Sequence, residues 1–170
     1  HSLLFYNNDT EFIVFDKLES FTTARATTRT RTRSSYLGNS YSQTKNEKTV
    51  NAPDMLYGYY LDKYIPEKVI VAPDMNIKMR PLVFAYVIKY EFEYGLQYVA
   101  LARGALAGMA ESVYMNSGQT SADFVTILYD CTIEEYGTQA VVNSFGIPNY
   151  PNGNYTRAGS RYSLNLEVKL

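Results

Sequence analysis

One stretch, residues 82–93 with the sequence LVFAYVIKYEFE, constrains the fold more than any other part of the chain. Its large apolar and aromatic side chains recur at every second position, whereas an amphipathic helix would place them three and four residues apart. The opposite face begins apolar and becomes charged from Lys89 onward. We therefore predict a central β-strand with one face in a core, which leaves the core for solvent at its far end.

Further stretches have the composition of short strands joined by irregular connections. They are residues 3–6, 12–15, 68–72, 124–133, 139–145 and 162–170. Asn7-Asn8-Asp9 predicts a hairpin between the first two. Residues 101–115 are rich in Ala and Gly, which indicates close approach of the backbone to a neighbouring sheet, with a short amphipathic helix as the alternative. Together these patterns predict an all-β protein, an antiparallel β-sandwich.

A polar segment, residues 38–51, has the composition of a linker, and Pro53-Asp54 follows it. We therefore predict a boundary near residue 52. Residues 1–52 would be the remnant of an N-terminal β domain with its linker, and residues 53–170 a C-terminal β-sandwich domain. The chain begins HSLLFYNN without a methionine, which we interpret as a piece of a longer precursor.

The composition is that of a globular protein, with 46% hydrophobic residues and a net charge of −1. That charge predicts no general attraction to nucleic acid or to an anionic membrane. The 17 tyrosines suit half-buried sheet surfaces, and the alternative is a platform for a ligand such as a sugar. Cys131 is the single cysteine, so the sequence has neither a disulfide framework nor a thiolate metal cluster.

Residues for catalysis are scarce. The one histidine is His1, so a Ser–His–Asp or Cys–His site lacks a base inside the fold. Glu134 and Glu135 are adjacent and would point to opposite faces of a strand, so they do not form a facing acid–base pair. We therefore predict a protein that is not an enzyme and that binds no metal or cofactor.

A run of arginines, Arg25, Arg29, Arg31 and Arg33, occupies odd positions between threonines. In an extended conformation these side chains share one face and can contact phosphates or an acidic polysaccharide. The alternative, a solvated edge or mobile loop, is the one we favour. We therefore predict a protease-sensitive segment here.

The last stretch also alternates, with Tyr162, Leu164, Leu166 and Val168 on one face. We predict that this strand forms a sheet edge and pairs with a strand from another molecule, because an unpaired edge leaves N–H and C=O groups without partners.

The segments RGALAGMAESVYM, SFGIPNYP, YSLNLEVKL and NNDTEFIVF resemble fimbrillin-like surface lipoproteins of anaerobic bacteria, some of which are type V pilins. The resemblance is greatest to an uncharacterised lipoprotein branch. It implies a transthyretin-like two-domain β-sandwich precursor, lipid-anchored at the outer membrane, with a structural or adhesive role. Membrane contact would be only through the precursor's lipid anchor.

The resemblance also implies partners. These are other copies of the chain or related pilus subunits, paired by strand donation as in the pilin members, or a glycan or protein on a host or bacterial surface. An arginine-specific protease trims those pilins, in agreement with a sensitive arginine segment. The alternative function is a carbohydrate-binding surface module that uses exposed tyrosines.

Overall fold

The computed structural model describes residues 1–32, 47–66, 74–151 and 162–170. The strands within them are β1 Leu3–Tyr6, β2 Ile13–Asp16, β3 Arg25–Thr28, β4 Thr49–Asn51, β5 Tyr57–Leu61, β6 Arg80–Pro81, β7 Phe84–Glu91, β8 Leu101–Ala110, β9 Ser112–Tyr114, β10 Phe124–Asp130, β11 Thr132–Glu134, β12 Gly137–Ser144 and β13 Ser163–Lys169. A 3₁₀ turn, Leu96–Tyr98, follows β7. In this described part no helix has the length and apolar character needed to cross a membrane.

The strands form four sheets, which we number I to IV. Sheet I has the order β1-β5-β6, sheet II β2-β3-β9, sheet III β13-β8-β10-β4 and sheet IV β11-β12-β7. Neighbouring strands run antiparallel except β4 and β10, which are parallel. The predicted all-β, antiparallel sandwich fold is therefore confirmed.

Each pair of sheets encloses its own core. Side chains of sheets I and II meet in a first core that includes Ile13, Ala26, Leu56 and Val113. Side chains of sheets III and IV meet in a second core that includes Val50, Ile127, Tyr129, Ala140 and Val142. Strand β8 leads through Glu111 into β9 and so connects sheet III with sheet II. The described chain thus forms two sandwiches, which are joined where β8 continues into β9.

Strand β10 is the central strand of the second sandwich. It pairs with β8 on one side and β4 on the other, and its five inner residues are buried. Ile127 faces the second core, and Leu128, on the opposite face, is 1% exposed. A continuous apolar run such as Val125–Tyr129 is typical of a strand that is covered on both faces.

Strand β7 corrects the prediction made from residues 82–93. The strand is present, but among the described strands it pairs only with β12 and lies at the edge of sheet IV. Its outward-facing Val87 is 61% exposed, and Phe84 is also exposed. The alternating pattern correctly indicated a strand with two different faces, but alternation carries no information about the number of neighbours in the sheet.

The Ala- and Gly-rich segment over residues 101–115 contains strand β8 and does not form a helix. It pairs with β10 and β13 over its length. A side chain at Gly104 would overlap the ring of Tyr129 on β10, so this position requires glycine. The backbone of β8 therefore approaches a ring on the neighbouring strand of its own sheet, whereas the sequence predicted a close approach to a neighbouring sheet.

Two predicted connections are different in the structure. Strands β1 and β2 form no hairpin, because β1 pairs with β5 and β2 pairs with β3. Strands from residues 1–52 also pair with strands from residues 53–170: β1 with β5, β3 with β9 and β4 with β10. The predicted boundary at residue 52 therefore does not separate two sets of strands. The strand predicted over residues 68–72 lies outside the described residues.

Candidate interaction surfaces

Strand β13 lies at one edge of sheet III among the described strands, and the predicted pairing of this edge with another molecule stays a prediction. It pairs along its length with β8, and Leu164, Leu166 and Val168 lie opposite Leu106, Gly104 and Ala102. Leu106 packs against the second core, so these three side chains lie on the core-facing side of the sheet. Leu164 is nonetheless 47% exposed, and Tyr162, just before the strand, is exposed as well. Across the described ranges no strand pairs with the other edge of β13.

Strand β7 is a second long edge strand. The sequence predicted this strand but placed it at the centre of a sheet, so the edge was not foreseen. It has eight residues and pairs with β12 without a bulge. Val87 lies opposite Val141, and both side chains are 61% exposed on the outer face of sheet IV. In the sequence, both faces of this strand are apolar over residues 82–87, whereas a strand covered on one face needs apolar residues on that face alone.

Several other edges are covered by local structure. The N–H of Arg31 donates to the carbonyl oxygen of Thr49 at 2.9 Å, and that of Asn51 to the carbonyl oxygen of Arg29 at 3.0 Å, which covers the outer edge of β4. The N–H of Tyr114 in β9 donates to the Gln119 carbonyl oxygen at 2.8 Å. Within the described part of the chain, β7 and β13 are the longest strands at a sheet edge. Such edges are the usual sites of strand addition.

Arg25, the first arginine of the run, lies in a strand. Arg25 begins β3, the middle strand of sheet II, and its Nε and Nη2 atoms donate to Asp16 Oδ2 at 3.0 and 2.8 Å. This hydrogen bond lowers the pKa of the Asp16 carboxyl group. A paired strand thus replaces the expected mobile loop at this end, because alternate residues Ala24, Ala26 and Thr28 are buried.

Further along the run the arginines differ from one another. Arg31 Nη1 donates to the carbonyl oxygen of Leu128 at 3.0 Å, and its Nη2 pairs with Asp130 at 2.7 Å. Arg103 pairs with the other oxygen of Asp130 at 3.0 Å. The Arg29 side chain is exposed, and Arg33 lies outside the described residues. Protease sensitivity of the run stays a prediction.

Two clefts lie on either side of the short edge strand β6. The inner cleft, of about 290 Å³, lies between sheet I and the turn after β9, and its lining includes Gly58, Tyr60, Arg80, Asn116 and Ser117. The outer cleft, of about 520 Å³, is lined by Tyr59, Asn76, Lys78, Met79 and Arg80. Arg80 therefore borders both.

The exposed tyrosines do not gather in one groove. They lie on β5, on β7, in loops and before β13: Tyr57, Tyr86, Tyr94, Tyr98, Tyr136, Tyr150 and Tyr162. The aromatic contacts that involve a tyrosine join it to a phenylalanine, as in the stacked pair Phe21–Tyr60 at 5.6 Å. A broad platform of coplanar tyrosines is therefore not formed by the described residues.

Three groups with a raised pKa, Tyr90, Tyr129 and Cys131, lie in or beside the second core. The hydroxyl groups of Tyr90 and Tyr129 are 2.9 Å apart, and burial raises the pKa of both phenols. Burial, assisted by the Asp130 carboxylate, also raises the pKa of the Cys131 thiol. All three groups are thus held in their neutral forms, which suits packing and does not supply a nucleophile. Among the described residues no cluster of three metal-ligating side chains occurs.

Comparison with known proteins gives one structural likeness and one family. The fold is similar to the crystal structure of a "putative adhesin" from Bacteroides ovatus, with a TM-score of 0.65 and 22% sequence identity. The alignment covers 97% of this chain and 58% of the Bacteroides protein, so the chain spans little more than half of that neighbour's length. At this identity the likeness shows the fold. No curated protein sequence matches the chain.

The family comes from a sequence profile. Residues 1–130 match the profile described as "Domain of unknown function (DUF5119)", which covers more than half of the 170 residues. The match includes the strands on both sides of residue 52. The chain therefore belongs to the DUF5119 family.

Proposed function

We propose that this chain is a structural or adhesive module displayed on a bacterial cell surface. The observation that carries the proposal is the likeness to the Bacteroides protein called an adhesin, which extends over nearly the whole chain. The fimbrillin-like character suggested by the sequence would be a finer version of the same role, with a lipid anchor on the precursor.

Two features of the molecule support a structural role over catalysis. Burial raises the pKa of the Tyr90 and Tyr129 phenols and of the Cys131 thiol, so these groups are held neutral. Strands β7 and β13 lie at sheet edges among the described strands, and such edges are the usual sites at which another strand is added. In this proposal β13 is where a second copy or a related subunit pairs, through the face that carries Leu164 and Leu166.

Surface display is tested with the full-length precursor expressed in a Bacteroides strain. Intact cells are treated with a protease that does not enter them, and the protein is followed with an antibody. Degradation on intact cells, together with incorporation of labelled palmitate into the precursor, is the expected result. Protection until the cells are broken would overturn surface display. Surface exposure without palmitate would remove only the lipid anchor.

A further inference from the structure

Arg80, on strand β6, lies between the two clefts and lines both. Arg80 pairs with Gly58, which pairs with Tyr6 on the other side, so all three positions lie on the same face of sheet I. Tyr6 packs against the first core, which makes this the inner face. Gly58 has no side chain, and a Cβ there would lie 2.7 Å from Leu82 Cδ1. Because Gly58 has no side chain, the inner cleft stays open beside the Arg80 guanidinium group.

The charged residues that line the two clefts are all cationic. Lys78 and Arg80 line the outer cleft and Arg80 lines the inner one, while none of the described residues lining either cleft has a carboxylate. Arg80 is exposed, and the described residues offer it no ion pair. Asp62, which touches the Tyr60 hydroxyl at 3.4 Å, also accepts hydrogen bonds from Ser2 and the Lys63 N–H. An anionic occupant therefore meets cations and no opposing carboxylate in the clefts.

The other groups in the inner cleft suit a saccharide. The ring of Tyr60 is held in place by stacking on Phe21, at a centroid distance of 5.6 Å and an interplanar angle of 20°. Asn116 and Ser117, which have an amide and a hydroxyl group, line the same cleft. An aromatic ring next to a few polar groups is the usual composition of a small-molecule site, and the guanidinium group adds a planar donor for an acidic oxygen pair.

We propose that the clefts on either side of β6 bind an acidic saccharide, whose carboxylate or sulfate group pairs with Arg80. This inference rests on the proposed adhesive role, for which it supplies the chemical class of the ligand. Lys78 assists from the outer cleft, and Asn116 binds hydroxyl groups of the sugar. Affinity depends on the charge of the saccharide more than on its length, because one arginine serves both clefts.

The test is calorimetric titration of the full 170-residue chain with three short oligosaccharides of equal length: oligogalacturonate, sulfated dextran and unmodified dextran. The first two provide a carboxylate and a sulfate, and the third provides neither. Arg80→Gln is expected to weaken binding of the acidic probe by about tenfold or more, since a charge-assisted hydrogen-bond pair is lost. Arg29→Gln is the matched control, because it removes the same charge from an exposed arginine outside the clefts. Asn116→Ala provides a second variant, with a smaller expected loss.

Binding of either acidic probe and not of dextran, with a loss confined to Arg80→Gln and Asn116→Ala, supports the proposal. It is overturned if neither acidic probe binds, if dextran binds as well as they do, or if Arg29→Gln and Arg80→Gln weaken binding equally. Binding that is insensitive to both arginine variants also overturns it. These failures leave the proposed surface role intact, because protease access on intact cells is measured independently of any ligand.

Discussion

Strands β10 and β7 have similar apolar content and opposite places in the molecule. Strand β10 has two neighbours and five consecutive buried residues, whereas β7 has one neighbour and is exposed over most of its length. Both run antiparallel to a long partner, β8 or β12. The two strands differ in what covers them. The apolar residues of β10 pack in a core, whereas most of those of β7 lie at the surface. Apolar side chains kept on an exposed edge are typical of a surface that contacts something else.

The largest expected effect comes from truncating the buried strand. Ile127 is in the second core, so Ile127→Ala removes packing and leaves a cavity, with a loss of about 2–5 kcal/mol in the free energy of unfolding. The matched change on β7, Val87→Ala, removes an exposed side chain and is expected to cost below about 0.5 kcal/mol. Denaturant unfolding followed by circular dichroism measures both. Equal losses would mean that β7 is covered in the folded protein.

A medium effect is expected where β8 passes under the Tyr129 ring. Gly104→Ala puts a methyl group into the space of that ring and should destabilise the protein by about 1–3 kcal/mol. Combining it with Tyr129→Leu should recover part of the loss, because the overlapping ring is gone. Thermal unfolding of the two single variants and the double variant measures the coupling. Strictly additive losses would contradict the close approach.

The smallest effect concerns the salt bridge on sheet II. The hydrogen bond from Arg25 lowers the pKa of Asp16 below its usual 3.8, so this pair favours folding above that pH and the contribution is lost as the pH falls through the lowered pKa. We expect the Asp16 carboxyl carbon to titrate below 3.8 by NMR, and Arg25→Gln to raise the midpoint. An unchanged midpoint in the variant would show that the pair is not formed in solution.

Much of the fold was open to prediction because it is local. The alternation over residues 162–170 indicated β13, and the apolar run over residues 124–133 indicated β10. Both patterns depend only on which face of a strand is covered.

The sheet partners were not open to prediction. Strand β1 pairs with β5 across more than fifty residues, and no local signal distinguishes that pairing from a hairpin with β2. The β6 clefts depend on the same long-range pairing, since Arg80 and Asn116 are brought together only when β5, β6 and the turn after β9 assemble. The Arg25–Asp16 pair likewise requires the register of β2 against β3.

The central claim is that the outer edge of β13 is completed by another molecule, and sedimentation velocity over a range of concentrations tests it most directly. We predict a dimer or larger species for the unaltered chain, and a monomer when Leu164 and Leu166 are both changed to Glu. The matched charge on the other edge, Val87→Glu, should leave the association unchanged, because in this account β7 is not the pairing edge. A monomer at every concentration, or dissociation by Val87→Glu and not by the β13 changes, would contradict the account.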